Sequence, residues 1–325
     1  MWDWMVLFMP DRLKVALIGC GFWGSNHARV YFELDDICEL IAVCDIDKGR
    51  AERVAKRYGC RAYTDYRELL RNCRPEAVSV CTPSSTHFEI AYEIVRSGVD
   101  VLVEKPMCTS TDDALKLVSE AERMDVVLIP GHIECFNPGV RRVKSMIEEG
   151  RLGDILMLTA KRVSYWPERI GDVGIVMDTV IHDIYVFRYL LSEDPVEVYA
   201  VAGRLMHRFE DYVGVILRYK GSTIGFIEAN WMTPRKVRNL TVTGSNAIVS
   251  LDYLTQEIVY ENKDSIMTPI ARWDEPLKLE LKHFVEASLG RCKPEITGYD
   301  GVEALKVCEA ILESSRMHTP VRLKR

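Results

Sequence analysis

The chain has 325 residues, 48% of them hydrophobic and 28% charged, with a formal net charge of −6. At roughly 150 residues per domain this length suggests two domains, with apolar material for two packed cores. The acidic balance argues against a uniformly basic nucleic-acid surface, and no apolar run approaches the roughly 18–20 residues that span a bilayer.

Residues 1–10 read as a short extension. Trp2–Met9 is apolar apart from Asp3, but it lacks the basic start and small-residue cleavage site of a secretion signal. From Lys14 onward, short apolar runs alternate with amphipathic stretches. Strands are expected at 14–18, 40–44, 77–81, 101–103 and 126–130, with helices at 27–34, 48–58, 66–72, 86–97 and 111–124. Strands apolar on both faces and separated by helices predict a doubly wound parallel sheet, an α/β domain over residues 1–131.

The rhythm changes after Gly131. A helix is expected at 138–149, a strand at 155–165, an irregular segment holding Pro167 and two glycines, and a helix at 178–191. Strands follow at 196–206, 212–219, 223–231, 237–243, 247–253 and 257–260, and helices at 277–289 and 299–315. Gly221-Ser222 and Gly244-Ser245 read as hairpin turns, so the second domain (132–325) is an α+β unit with an open, mainly antiparallel sheet. The ten cysteines contain no C-x-x-C pair. Buried reduced thiols in a cytoplasmic protein, without a metal site, are the expectation.

The first expected strand runs directly into Gly19-Cys20-Gly21-Phe22-Trp23-Gly24, a G-x-G-x-x-G ahead of a helix. Gly19 permits the tight turn, Gly21 lets a pyrophosphate approach the backbone, and Gly24 lets helix pack on strand. The helix start adds amide donors and partial positive charge. The second strand ends at Asp45, twenty-one residues beyond Gly24. An acid there accepts the adenosine ribose hydroxyls and repels a 2′-phosphate, so NAD is the expected cofactor. The alternative for Asp45 is a cap on the helix beginning near Lys48.

Two more strand ends carry chemistry. Thr82-Pro83-Ser84-Ser85-Thr86-His87 follows the fourth and Glu104-Lys105-Pro106 the fifth. Ligands of parallel sheets bind beyond the carboxyl ends of the strands, so both loops should rim one crevice. Thr82, Pro83, His87, Glu104 and Lys105 join Gly19, Gly21, Phe22, Trp23, Gly24 and Asp45 as expected cofactor residues. In Asp178-Thr-Val-Ile-His182-Asp183 the first acid and the histidine stand four apart, on one helix face.

These motifs, in this order, resemble those of the glucose–fructose oxidoreductase/inositol dehydrogenase/MocA family of NAD(P)-dependent sugar oxidoreductases, from about Lys14 to the end. The resemblance implies that Lys105, Asp178 and His182 meet the reacting hydroxyl. A neutral imidazole with a pKa near 6.5 can take the hydroxyl proton, an ammonium can stabilise developing alkoxide charge, and Asp178 can orient either partner. Asp183 reads as a structural acid.

Gly131-His-Ile-Glu-Cys135-Phe-Asn137-Pro138 is similar to a segment of the nucleotide-sugar subgroup, the UDP-N-acetylglucosamine 3-dehydrogenases, with Cys135 standing where that pattern has arginine. Asn230-Trp231-Met-Thr-Pro-Arg235-Lys236-Val-Arg238 also resembles that subgroup. Asn137, Arg162, Arg169, Trp231, Arg235, Lys236 and Arg238 are therefore expected to bind substrate beside Lys105, Asp178 and His182, the cations on a diphosphate and Trp231 on a ring. The expected reaction is oxidation of a ring hydroxyl, at C3 of UDP-N-acetylglucosamine or a related nucleotide sugar. The alternatives are a free-sugar or myo-inositol dehydrogenase and a non-catalytic NAD-binding regulator. The expected partners are the small substrate and further copies of the chain, as a homodimer or homotetramer through the C-terminal sheet.

Overall fold

A computed structural model describes residues 12–166, 171–269 and 272–323. The extension over 1–10 and Arg169 lie outside the described residues. In chain order the first half runs β1 (Leu13–Ile18), α1 (Phe22–Glu33), β2 (Cys38–Cys44), α2 (Lys48–Tyr58), β3 (Arg61–Tyr63), α3 (Tyr66–Cys73), β4 (Ala77–Val80), α4 (His87–Arg96), β5 (Asp100–Glu104), α5 (Thr111–Met124) and β6 (Leu128–Gly131). Among the described residues, the strands form a six-stranded sheet in the order β3-β2-β1-β4-β5-β6, with every pair parallel. The order reverses between β1 and β4, so the glycine turn after β1 and the loop after β4 open on the crevice where such sheets bind ligands.

The second half contains α6 (Pro138–Glu148), β7 (Ile155–Val163), a π-helical turn (Val176–Val180), α7 (Ile181–Leu191), β8 (Glu197–Gly203), β9 (Tyr212–Arg218), β10 (Ile224–Asn230), β11 (Val237–Gly244), β12 (Ala247–Asp252), β13 (Ile258–Asn262), β14 (Ile266–Met267), α8 (Pro276–Ser288), α9 (Gly298–Met317) and β15 (Val321–Arg322). Its described strands order as β14-β13-β12-β11-β7-β10-β9-β8-β15. Pairing is antiparallel except between β7 and β10 at the centre. Burial alternates along β9 and β12, the mark of a sheet covered on one face and open on the other.

The two halves share their cores. Leu277, Leu281, Phe284 and Val285 of α8 pack with Val15 and Leu17 of β1, and with Tyr31 of α1. The nucleotide-binding core therefore includes residues far beyond position 131. Among the described residues, no helix is long and apolar enough to cross a membrane.

Candidate active site

The glycine turn has the geometry its spacing predicts. Gly19 adopts φ +94°, and a Cβ there would lie 2.5 Å from the Cys81 carbonyl oxygen; a Cβ at Gly24 would lie 1.7 Å from the Gly19 carbonyl oxygen. Both positions exclude a side chain so that α1 can close on β1 and β4. Gly21 differs: a Cβ there would meet nothing within 4 Å. The start of α1 has neither a capping side chain nor an acid in its first turn, so its amides face the crevice uncompensated. Trp23 Nε1 is buried without a hydrogen-bond partner among the described residues, and Phe22 is exposed beside it. These features fit a dinucleotide pyrophosphate.

Asp45 accepts from the Cys20 N–H at 2.8 Å and from the Asp47 N–H at 2.8 Å. The carboxylate is thus locked at the rim of the glycine turn. The cap of α2 is Asp47, which accepts from the Arg50 N–H. Lys48 and Arg50 pair with Glu52 and Asp47 on the exposed side.

At the ends of β4 and β5, His87 is buried and bridges two loops: its ring nitrogens lie 2.8 Å from the Thr82 and Pro106 carbonyl oxygens. Glu104 is buried against His27 of α1 at 3.0 Å, and its other oxygen accepts from the Lys105 N–H at 3.1 Å. Burial alone would push the Glu104 carboxyl up; the His27 hydrogen bond and charge, with Lys105 alongside, hold it below the usual value. His87 and Glu104 thus brace the loops that rim the crevice, behind its surface. His27, whose polar ring sits on the buried face of an otherwise apolar helix, is a partner that the motif search passed over.

Lys105 meets the second half of the chain. Its Nζ donates to Asp178 Oδ1 at 2.7 Å and to the Asp178 carbonyl at 2.7 Å. Asp178 does not head an α-helix as expected; it lies inside the π-helical turn that precedes α7, a distortion that recurs at functional sites. Glu210 pins this turn, accepting from the Val176 N–H through its carboxylate and from the Ile175 N–H through its carbonyl. A Cβ on Gly174 would come within 2.1 Å of that carboxylate. His182 follows on α7, half-buried, with Nδ1 lacking a partner among the described residues. Burial and the positive charges of Lys105, Arg162 and Arg238 push its pKa well below the ordinary histidine value. The imidazole is neutral and ready to accept a proton. On the far side of the crevice, Asp172 accepts from the Ser85 N–H at 3.0 Å.

Three residues expected to touch substrate lie behind the site instead. Arg162 is 3% exposed; Nε and Nη2 donate to Asp183 at 3.0 and 2.9 Å, and Nη1 to Glu134 at 2.8 Å. Burial would lower its pKa, but the two carboxylates hold it firmly charged. Asn137 is fully buried, caps α6 through the Gly139 N–H and donates to the Tyr253 carbonyl. Trp231 is 2% exposed, with Trp166 and His207 edge-on to its ring. No surface of these three is left for a ligand. Arg235 and Lys236 are exposed on the β10–β11 connection. Arg238 sits opposite Arg162 in the β7–β11 register, and its Nη1 lies 3.7 Å from Glu134. Its field reaches His182, which keeps it a candidate for substrate contact. Among the described residues, no cluster of three or more His, Cys, Asp or Glu side chains is placed to hold a metal ion.

Two family models match the chain: "Oxidoreductase family, NAD-binding Rossmann fold" (GFO_IDH_MocA) over residues 13–132, and "GFO/IDH/MocA C-terminal domain" over 140–250. UDP-N-acetylglucosamine 3-dehydrogenase of Acidithiobacillus ferrooxidans is 28% identical over 247 residues, 76% of either chain. Its solved structure superposes with a TM-score of 0.87 at 25% identity, covering 95% of this chain and 99% of that one. Myo-inositol 2-dehydrogenase of Thermotoga maritima is 26% identical over 331 residues, covering 96% of this chain and 99% of the relative.

Proposed function

The chain belongs to the GFO/IDH/MocA family of NAD-binding oxidoreductases, and on that premise we propose that it oxidises a ring secondary hydroxyl of a nucleotide sugar to a ketone, at C3 of UDP-N-acetylglucosamine or a close relative. The observation that carries this reading is the 2.7 Å contact between Lys105 Nζ and Asp178, which brings two halves of the chain together over the crevice. NAD, when bound, supplies the nicotinamide carbon that accepts the hydride. Gly19, Gly21 and Gly24 with the start of α1 hold its pyrophosphate, and Asp45 holds its adenosine ribose. His182, kept neutral, takes the hydroxyl proton at the nitrogen facing the crevice. Lys105 donates to the same substrate oxygen and stabilises the negative charge that develops there. Asp178 keeps the ammonium aimed at that oxygen. Arg235, Lys236 and Arg238 are the cations left to meet a diphosphate.

The second reading is a cyclitol or free-sugar dehydrogenase. It is favoured by the burial of Asn137, Arg162 and Trp231, which removes three contacts that a nucleotide sugar was expected to use. A non-catalytic regulator is disfavoured, because it has no use for a neutral imidazole beside Lys105. Thermal shift with NADH plus UDP-sugars, free sugars or inositols separates these readings, since a ligand stabilises only the state that holds it. A selective rise with UDP-N-acetylglucosamine supports the first, a rise with myo-inositol alone the second.

The outer face of the large sheet, with exposed Val201, Tyr212, Ile216, Ile248 and Val259, is our proposed surface for a homodimer or homotetramer. All ten cysteines are free thiols, which suits a reducing, cytoplasmic location.

A further inference from the structure

Asp178 has two carboxylate oxygens, and only one of them meets Lys105. The other, Oδ2, accepts from the Thr179 hydroxyl at 3.0 Å. That hydroxyl in turn accepts from Trp231 Nε1 at 3.2 Å. Four residues thus form one line of donors and acceptors from a buried indole to an amine at the crevice. We propose that the Thr179 hydroxyl, fixed by the Trp231 indole, is a positioning group that sets the orientation of the Asp178 carboxylate and thereby the place of Lys105 Nζ.

The physical case rests on what can move. A carboxylate bound at one oxygen turns about its Cβ–Cγ bond; bound at both, it does not. A threonine hydroxyl on a helix has a competing acceptor in the carbonyl one turn back, and the indole N–H removes that freedom by directing the hydroxyl hydrogen elsewhere. The indole is itself immobile. Trp166 and His207 stand edge-on at 5.8 and 5.7 Å, and the Trp231 N–H donates to the Asp211 carbonyl at 3.0 Å. Asp211 is locked as well, its carboxylate accepting from the Leu205, Met206 and His207 N–H groups. The aromatic cluster therefore acts as a rigid mount behind the π-helical turn. Trp231 does its work from inside the protein, through Thr179, and not as a platform for a ring.

This inference deepens the proposed function, because it takes Lys105 and Asp178 as the working pair. Its test needs no substrate. The apoprotein is treated at pH 8 with trace acetic anhydride, and acetylation of Lys105 is quantified by mass spectrometry against surface lysines. Thr179→Val removes the hydroxyl at nearly constant volume and should raise Lys105 labelling roughly fivefold, the effect of one net hydrogen bond. Thr179→Ser keeps the hydroxyl and should restore the original labelling. Trp231→Phe removes only the N–H from the chain of bonds and should raise labelling by a smaller factor. The double variant should label no faster than Thr179→Val alone, because the indole acts through that hydroxyl. Equal labelling of the Val and Ser variants, or an additive double variant, overturns the proposal. Should Thr179→Val fail to fold, unchanged labelling in Trp231→Phe overturns it equally. A Lys105→Ala protein that keeps its turnover refutes the catalytic reading, and leaves the labelling result to decide the positioning role separately.

Discussion

Adjacent residues of α7 feed two ion-paired clusters of opposite character. His182 turns toward the crevice, where Lys105 meets Asp178; Asp183 turns inward, where it grips Arg162 beside Glu134. Both clusters pair a cation with carboxylates at under 3 Å. They differ in how completely the cation is used. Each nitrogen that Arg162 presents is spent on a buried carboxylate, whereas Lys105 is a single amine at the crevice edge that can trade one oxygen acceptor for another. Charge pairing alone does not separate a working cation from a structural one. The number of partners and the access to solvent do.

Lys105→Ala tests the outer cluster with the largest expected effect. Turnover should fall by about a thousandfold, the scale of losing a main stabiliser of developing charge. NAD affinity, measured calorimetrically, should hold; an equal loss of affinity would make Lys105 a part of the cofactor cradle. Arg162→Ala tests the inner cluster. Leaving Asp183 and Glu134 buried without their cation should cost about 3–5 kcal/mol of folding stability in a denaturant titration. A variant of normal stability and weakened substrate binding would return Arg162 to the site.

His182 links the clusters, because cations of both push its pKa down. The imidazole thus stays a base to lower pH than usual, and the acid limb of kcat/KM should fall below about 6.5, the ordinary histidine value. The same shift carries a stability cost. The unfolded chain binds this proton first, so stability drops as the pH falls below that value. An acid limb at or above 6.5 would show that the charges of Arg162 and Arg238 do not reach the base.

The smallest effect concerns Glu280 of α8, fully buried with neither carboxyl oxygen partnered among the described residues. Burial, then the nearby Glu104 and Glu134, pushes its pKa well up. The folded state holds its proton while the unfolded chain releases it above about pH 4.5, so stability should decline as the pH rises. Glu280→Gln should flatten that decline, a gain of about 1 kcal/mol at pH 9 read from thermal melts. A variant that melts in parallel with the parent at every pH would mean that Glu280 has a partner in solution.

Much of the fold was legible in the sequence. Its apolar runs locate five of the six strands of the first sheet, and α2 and α5 begin and end where their patterns do. β3 escaped notice because Arg61–Tyr63 is three residues long and its strand pairing is not written in an apolar run. α1 begins at Phe22, earlier than expected, because glycine and exposed aromatics mask its first turn. Likewise, no local pattern distinguishes the π-helical turn from the α-helix that follows it.

Sequence by itself determined the chemistry at the strand ends: the glycine turn, Asp45, Lys105 and the Asp178–His182 spacing depend on residues a few positions apart, whose geometry local backbone rules dictate. Which cations and aromatics face the crevice was decided only by the tertiary structure. Asn137 owes its burial to Tyr253, 116 residues away, and Arg162 to Asp183 and Glu134 on other elements. Burial and the satisfaction of polar groups come from packing between distant segments, and a linear pattern carries no record of which partners meet.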